Sequence, residues 1–561
     1  KLVLSGAAGA LGGEALNVED VFSTYLYTGT GAEQSITNNI DLSGEGGSLW
    51  IKKRSGDGAS HHWFNTENGR ALNLMPNQNL AGQTSTATQD LKSFNSDGFT
   101  LNATAFNTNI NVNGTTYASW AFRKAPKFFD VQTFSTTSSS SVPITVNHHL
   151  VSVPGFYLIK RTDAGSDWFC FHRSQGATKY GALQSSDQFQ NGGTSKWYQA
   201  PDSSSIYLGN DFVQNASYVA YFFAHNDGDG EFGPDSDADI IKCGSYTGNG
   251  SSTGPEIDLG FEPQWVMVKL ASDTGDWVIY DAMRGFTVAA DDAYLAANST
   301  GGELNNYQSI KPTSTGFQPE ASHGWVNASG STYIYIAIRR GPMAVPEDAD
   351  DVFAIDTTGE TSEPYLRSGF SVDMSLLRLN KSGTQDTRVG TRLLQGTRLE
   401  TNNTDVEAAT SVHQFDYMNG WLSGVSTDAI AWMWRRAPNY FDVVAYGATG
   451  ETNPSVSHNL GVAPEMIWHK ERNSTGSWSV AHSYDFTKRL VLNSTAAEVS
   501  YEFVTNITDT SFNINFGGLG AENSTKIMYL FASLDGVSKV GSYTGNGTSQ
   551  TIDCGFSSGA R

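Results

Sequence analysis

The chain has 561 residues, with 35 basic against 57 acidic side chains and a formal net charge of −22 at pH 7. That balance excludes the basic stripe with which nucleic-acid binders displace counterions, and no run of ~18 apolar residues is present to form a membrane-spanning helix. Three widely spaced cysteines, Cys170, Cys243 and Cys554, exclude a disulfide framework or a zinc site.

The length suits about four to six ordinary domains. Gly is high at 58, aromatics reach 12% and charged residues only 16%. Short strands joined by small-residue turns produce this mixture; long helices do not. The opening KLVLSGAAGALGGEALNVED, residues 1–20, reads as an amino-terminal attachment segment. It is too weakly patterned for a signal peptide and has no initiator Met, so a few residues are expected to precede it.

Five copies of one β unit follow, with a sixth begun. They span residues 21–128, 129–238, 239–350, 351–440 and 441–537, and the fragment 538–561 opens the next. The anchors Lys52, Lys160, Lys269, Arg378 and Lys470 lie 108, 109, 109 and 92 residues apart. Each copy starts on an alternating strand that ends in a polar turn, as in LYTGTG at Leu26 and SYTGNG at Ser245. A second strand follows, then a Pro in three copies (Pro154, Pro263, Pro464), suited to a strand's entry. The next strand carries the Lys anchor. Seven residues then lead to a Trp in three copies, Lys160–Trp168, Lys269–Trp277 and Lys470–Trp478, which predicts a hairpin. These Trp are read as packing residues.

Beyond the Trp strand comes Asn-x-Thr-x-x-Glu: Asn298–Thr300–Glu303, Asn402–Thr404–Glu407 and Asn493–Thr495–Glu498. Thr-x-x-Glu spells a capping box, so one short helical turn per copy is expected here. A Gly–aromatic step follows (Gly98–Phe99, Gly316–Phe317, Gly420–Trp421), then a strongly apolar strand such as YIYIAIRRGP, expected to be buried on both faces. Arg123–Lys124, Arg339–Arg340 and Arg435–Arg436 read as charged stops that solubilise its end. Seven or eight strands in ~100 residues give the fold class: all-β, a tandem array of antiparallel β-sandwich domains, of jelly-roll (concanavalin A-like) or alternatively immunoglobulin-like topology.

The sharpest polar cluster is NDGDGEFGPDSDADI, between the second and third copies. Asp227, Asp229, Glu231, Asp235, Asp237 and Asp239 alternate with small residues, a pattern able to offer Ca²⁺ several oxygen ligands. The EF-hand pattern is not met, and a solvated linker is the other reading. His172 and His482 share one repeat position, but Asp281 replaces them in the third copy, which argues against a catalytic or metal role. No Gly-x-Ser-x-Gly, His-Glu-x-x-His or phosphate loop occurs.

The runs DVFSTYLYTGTG, YASWAFRKAPKFFDV, NDGDGEFGPDSDADIIKCGSYTGNG, DLGFEPQWVMVK and YIYIAIRRGPM together resemble the tandem-repeat virion structural proteins, tail-fibre or tail-appendage-like, of marine tailed bacteriophages, including cyanophages. The fourth copy departs most, its Lys–Trp hairpin replaced by LRLNKSGTQDTRVG. The resemblance implies a virion location, a structural or adhesive role in host adsorption and no catalytic residue. Its implied partners are other tail proteins, a host-surface glycan or protein receptor, and further copies of itself. Nucleic acid and membrane insertion are not implied. A rod of stacked modules is the expected shape. The other readings are a glycan-binding or glycan-degrading tailspike and a capsid decoration protein. The sixth copy stops at CGFSSGAR, so the natural chain is expected to continue.

Overall fold

The computed structural model describes residues 15–56, 58–103, 109–137, 140–212, 215–288, 290–320, 324–380, 386–422, 428–447, 453–515, 524–557 and 559–560. Five large sheets recur along the chain, each faced by a small sheet, and every strand pair in them is antiparallel. In the first unit the large sheet runs, edge to edge, Phe22–Thr28, Thr116–Arg123, Gly47–Lys53, His62–Asn65, Gly69–Leu74 and Gln83–Thr84. The small sheet runs Gln34–Thr37, Gly98–Leu101 and Leu91–Asn95. The second, fourth and fifth large sheets repeat this six-strand order, and the third repeats its first five strands. First and third strands flank the last, and the second pairs with the penultimate. This nesting of early strands against late ones is jelly-roll-like; an immunoglobulin winding would not produce it.

The Gly–aromatic step marks where the small sheet closes. Gly98, Gly316 and Gly420 pair with Thr37, Asp258 and Arg367. A Cβ at these glycines would stand 2.0, 1.8 and 2.2 Å from the carbonyl oxygens of Ile36, Ile257 and Leu366. The aromatic that follows, Phe99, Phe317 or Trp421, fills the space between the two sheets.

The last strand of four units is buried on both faces, while in the fourth Ile430, Trp432 and Trp434 leave one face half-buried, and the two faces serve different cores. In the first unit Tyr117 and Ala121 face the small sheet with Leu49 and Ile51. Ala118, Trp120 and Phe122 face away from it, with Trp50 and Trp63. That outer face does not meet solvent. It joins the corresponding faces of the second and third units in one hydrophobic cluster running from Val18 to Met343. The fourth and fifth units share a second such cluster, containing Met374, Trp478, Ile527 and Tyr529. Burying an aliphatic or aromatic side chain contributes ~1.5–3 kcal/mol, so the shared cores hold the units to one another. The units are therefore packed face to face in a group of three and a group of two, which corrects the expected rod of stacked modules.

All thirteen tryptophans are buried or half-buried, and Trp50, Trp63, Trp168 and Tyr221 stack with centroid spacings of 4.4–5.7 Å across the first two units. A one-turn helix, Val18–Val21, joins the end of the amino-terminal segment to the first unit, with Val18 and Val21 buried against the shared core. Glu19 accepts from the Met343 amide at 3.0 Å, tying the start of the chain to the end of the third unit.

Candidate functional site

The Lys–Trp hairpin is the element whose chemistry repeats most closely, and it works between units. Lys160 lies opposite Trp168 in the ladder, Lys269 opposite Trp277. Each ammonium stands about 6 Å from the opposing indole, at 5.8 and 6.0 Å. Trp168, Trp277 and Lys269 reach a loop of the preceding unit, while Lys160 donates to the Ser166 carbonyl of its own hairpin. Trp168 donates its indole N–H to the Met75 carbonyl at 3.0 Å, Trp277 to Ala182 at 3.2 Å and Trp478 to Glu400 at 2.8 Å. Those three carbonyls occupy one repeat position, at the end of the strand that follows the hairpin.

The first unit has no Trp here. His61 stands opposite Lys52, one residue before the His62–Ile51 pair of the ladder, and its Nε2 lies 3.0 Å from the Ala296 carbonyl of the third unit. The contacts thus close a ring: the second unit's hairpin sits on the first, the third's on the second and the first's on the third. Two backbone bonds repeat the pattern. The hairpin amides of Ser166, Gly275 and Gly476 donate to the carbonyls of Asn79, Ser186 and Thr404 at 2.7–3.0 Å. The loop amides of Gly82, Phe189, Glu303 and Glu407 donate to Thr162, Ala271, Arg54 and Arg472 at 2.7–3.0 Å.

The anchor lysines are buried, and their ammonium groups are held by carbonyls. Lys52 donates to Ala59 at 2.6 Å and across the junction to Thr300 at 3.0 Å; Lys269 donates across its junction to Ser186 at 2.9 Å. Burial pulls the Lys52, Lys160 and Lys269 ammonium groups down to about 8.

The Asn-x-Thr-x-x-Glu runs form no helical turn, which corrects the capping-box expectation. The Asn side chains accept the Trp amide instead, Asn298 from Trp277 at 3.0 Å and Asn493 from Trp478 at 2.9 Å. The Glu reaches across the junction: Glu303 takes Arg54 through two bonds of 2.8 and 2.7 Å, and Glu407 takes Arg472 through bonds of 2.6 and 3.2 Å. A hydrogen-bonded loop that needs both partners had no reason to wind into a helix.

The interchangeable His and Asp position has the same explanation. Asn65 donates to the Tyr221 hydroxyl at 2.9 Å, His172 Nε2 lies 3.1 Å from the Tyr335 carbonyl, and Asp281 accepts the Trp120 indole at 3.1 Å. All three bridge to the last strand of the neighbouring unit, so chemistry varies while location does not.

The charged strand ends are only partly solubilising stops, a second correction. Arg436 is 4% exposed; it grips Glu262 through bonds of 2.8 and 2.7 Å and reaches Asp442 at 2.6 Å. Burial alone would raise the Glu262 carboxyl, but the Arg436 and Arg340 charges outweigh it and hold it below the usual range. This cluster joins the third, fourth and fifth units.

The acidic run between the second and third units closes on itself. Asp239 accepts the Gly228 and Gly230 amides at 2.9 Å each, and Lys242 lies 3.6 Å from the same carboxylate. Glu231 pairs with Lys127 at 2.9 Å, and Asp227 and Asp229 lie 3.9 Å from Lys242 and Lys127. Asp235 and Asp237 line a separate cleft of about 230 Å³. Among the described residues no group of three His, Cys, Asp or Glu side chains is placed to hold a metal ion. On the outer side of the second unit an open cleft of about 310 Å³ is lined by Arg161, Asp167, Phe169, Asp211 and Tyr218.

The inter-unit junctions escaped sequence reasoning because their acceptors are backbone carbonyls. Their signal is the recurrence of Lys, seven residues and Trp, which marks where the contact is made but not with what.

No curated protein and no solved structure matches the chain. A family model matches residues 17–342 and 425–558. Its first stretch begins at Asn17, the cap of the one-turn helix, and ends beside Met343, so it spans the ring of three units. The chain belongs to the family described as Domain of unknown function (DUF7483).

Proposed function

We propose that this protein is a non-catalytic structural subunit of a phage particle, part of a tail fibre or appendage that serves host adsorption. The observation that carries the proposal is the use of the repeated polar residues. Lys269, Trp277, Glu303 and the counterparts Trp168, Trp478 and Glu407 are engaged in joining one unit to the next. A catalytic constellation needs such groups within reach of a substrate, and these are buried or half-buried against a neighbouring unit. The resemblance to tandem-repeat virion proteins of marine phages supplies the particle. Immunogold labelling with antibody raised against residues 21–128 tests the location; label away from the tail would refute it.

The cleft of the second unit is a candidate surface for host contact. Phe169 is half-buried there, with the Lys196 ammonium 3.5 Å from its ring centroid, and Arg161, Asp167 and Asp211 surround it. An aromatic ring flanked by charged hydrogen-bonding groups suits a sugar, which favours glycan over protein as the receptor. Glycan-array binding by the intact chain, abolished by Asp211→Ala, is the expected result. Release of reducing sugar from host polysaccharide would instead favour a degrading tailspike.

A further inference from the structure

Four loops in the molecule receive a hairpin, and a fifth of the same build does not. At Met75, Ala182, Ala296 and Glu400 the strand-end carbonyl accepts a ring N–H from another unit. The fifth unit places Val491 at this position, one residue along the ladder from Trp478. Its carbonyl bonds locally to the Ser494 amide, as Ala182 does to Ser185, but among the described residues no ring N–H approaches it. The two accompanying backbone groups, the Thr495 carbonyl and the Glu498 amide, correspond to Thr404 and Glu407 and have no counterpart bonds. The neighbouring apolar residues show the difference in exposure. Leu183 and Ala297 are 0% exposed beneath their hairpins, whereas the equivalent Leu492 is 40% exposed, with Leu490 at 36% and Val499 at 45%.

We infer that this face of the fifth unit is a socket for the Lys–Trp hairpin of one further repeat unit, which would close the fourth and fifth units into a second ring of three. The chemistry of the occupant follows from the occupied sockets. It carries a Trp opposite a Lys, the indole N–H meeting the Val491 carbonyl. It also carries an Arg two residues after the Lys, because Glu498 stands where Glu303 holds Arg54 and Glu407 holds Arg472. Among the described residues Glu498 has only Lys488, at 3.9 Å, and its side chain is 39% exposed.

A second observation points to the same occupant. Residues 539–556 repeat the first two strands of the third unit, yet none of them forms a ladder, and Tyr543 is 71% exposed where Tyr246 is 8% exposed. In all five units the first strand is paired by the last strand of its own unit. A sixth repeat unit supplies both the missing strand and the missing hairpin. A second copy of this chain does not fit as well. Its four anchor-lysine hairpins are already seated, and its fourth unit presents Thr387 where the indole would be, opposite Arg378.

The test uses the intact chain and, as probe, a disulfide-closed peptide carrying residues 467–481, which holds Lys470, Arg472 and Trp478 in one hairpin. Amide hydrogen exchange is measured with and without the peptide. Saturable binding is expected, with protection gathered on residues 490–500. A Trp478→Phe peptide should bind about three- to ten-fold more weakly, the worth of one hydrogen bond. The chain variant Glu498→Gln should weaken the wild-type peptide but leave an Arg472→Ala peptide unaffected. Its own fold is checked by an unchanged melting temperature, since Glu498 is on the surface. Absence of saturable binding, protection at other residues, or equal affinity of the Phe peptide would overturn the inference. So would self-association of the chain alone with residues 490–500 protected, because the occupant would then be a second copy.

Discussion

Trp277 and His61 do the same work in different units. The indole of Trp277 donates to the Ala182 carbonyl at 3.2 Å, and the imidazole Nε2 of His61 lies 3.0 Å from the Ala296 carbonyl. Each stands opposite a buried lysine, Lys269 or Lys52, that donates to a second carbonyl of the same loop. A ring N–H and an ammonium read two carbonyls that lie four residues apart on a neighbour's loop, Ala182 and Ser186 or Ala296 and Thr300. That pairing depends on ladder register, so it survives a change of ring.

Removing the ring should therefore uncouple units and not merely soften a core. Trp277 is 1% exposed and touches Phe156 and Phe189 of the second unit, at centroid distances near 6 Å. Trp277→Ala is expected to cost ~3–5 kcal/mol by cavity formation. Trp277→Phe should cost ~1–2 kcal/mol, mainly the lost N–H contact. Urea unfolding followed by hydrogen exchange checks this. Loss of protection should appear at residues 182–189 as well as around residue 277.

What could be read from the residues alone was the repeat, its strands and the burial of its aromatics. Alternation in WVMVK or YIYIAIR carries that information in side chains. The junctions were not readable, for a physical reason. Met75, Ala182, Ala296 and Glu400 share no side-chain property; they share a carbonyl at one ladder position. Thr300 and Glu303 were misread as a cap because the letters of a capping box equally suit a loop that gives a carbonyl to Lys52 and a carboxylate to Arg54. Arg436 was misread as a solubilising stop because sequence cannot show Glu262, 174 residues away, arriving beside it.

The Arg436–Glu262 pair should behave as a buried ion pair does. Arg436→Met leaves the Glu262 and Asp442 carboxylates buried without their main cation, an expected loss of ~3–5 kcal/mol. Arg436→Met combined with Glu262→Leu should lose less than Arg436→Met alone. Limited proteolysis gives the readout. The single variant should become susceptible near residues 342–352, between the third and fourth units, and the double variant less so.

Calcium should leave the acidic run unmoved. Asp239 is already satisfied by two amides and Lys242, and Glu231 by Lys127, so a cation would have to displace existing partners. Millimolar Ca²⁺ is expected not to shift the melting temperature. A saturable rise that disappears in Asp229→Asn would show that the loop rearranges into a site.

Stability should rise from acid to mildly alkaline pH, and the proton counts give the direction on each limb. Burial lowers His62 and His172 to about 4 and His413 and His469 to about 3, against 6.5 in an unfolded chain. Between pH 6.5 and 4 the unfolded chain binds protons that the folded chain refuses, so stability falls as pH falls, by ~1–3 kcal/mol per histidine. Lys52, Lys160 and Lys269 titrate near 8 when folded and near 10.5 when unfolded. Between those values the unfolded chain holds protons the folded chain has released, so stability rises with pH across that window. Buried tyrosines such as Tyr157 and Tyr246 are raised well above 10 by burial, which reverses the trend once unfolded tyrosines ionise. The melting temperature should therefore climb from pH 4 to 7, climb again from 8 to about 10, and then drop. Lys269→Met should lessen the second rise, Lys52 and Lys160 keeping the rest, without touching the first. A melting temperature that instead declines steadily from pH 7.5 to 9.5 would mean that the carbonyl cage, and not burial, dominates the lysines, and that their ammonium form is what the junctions require.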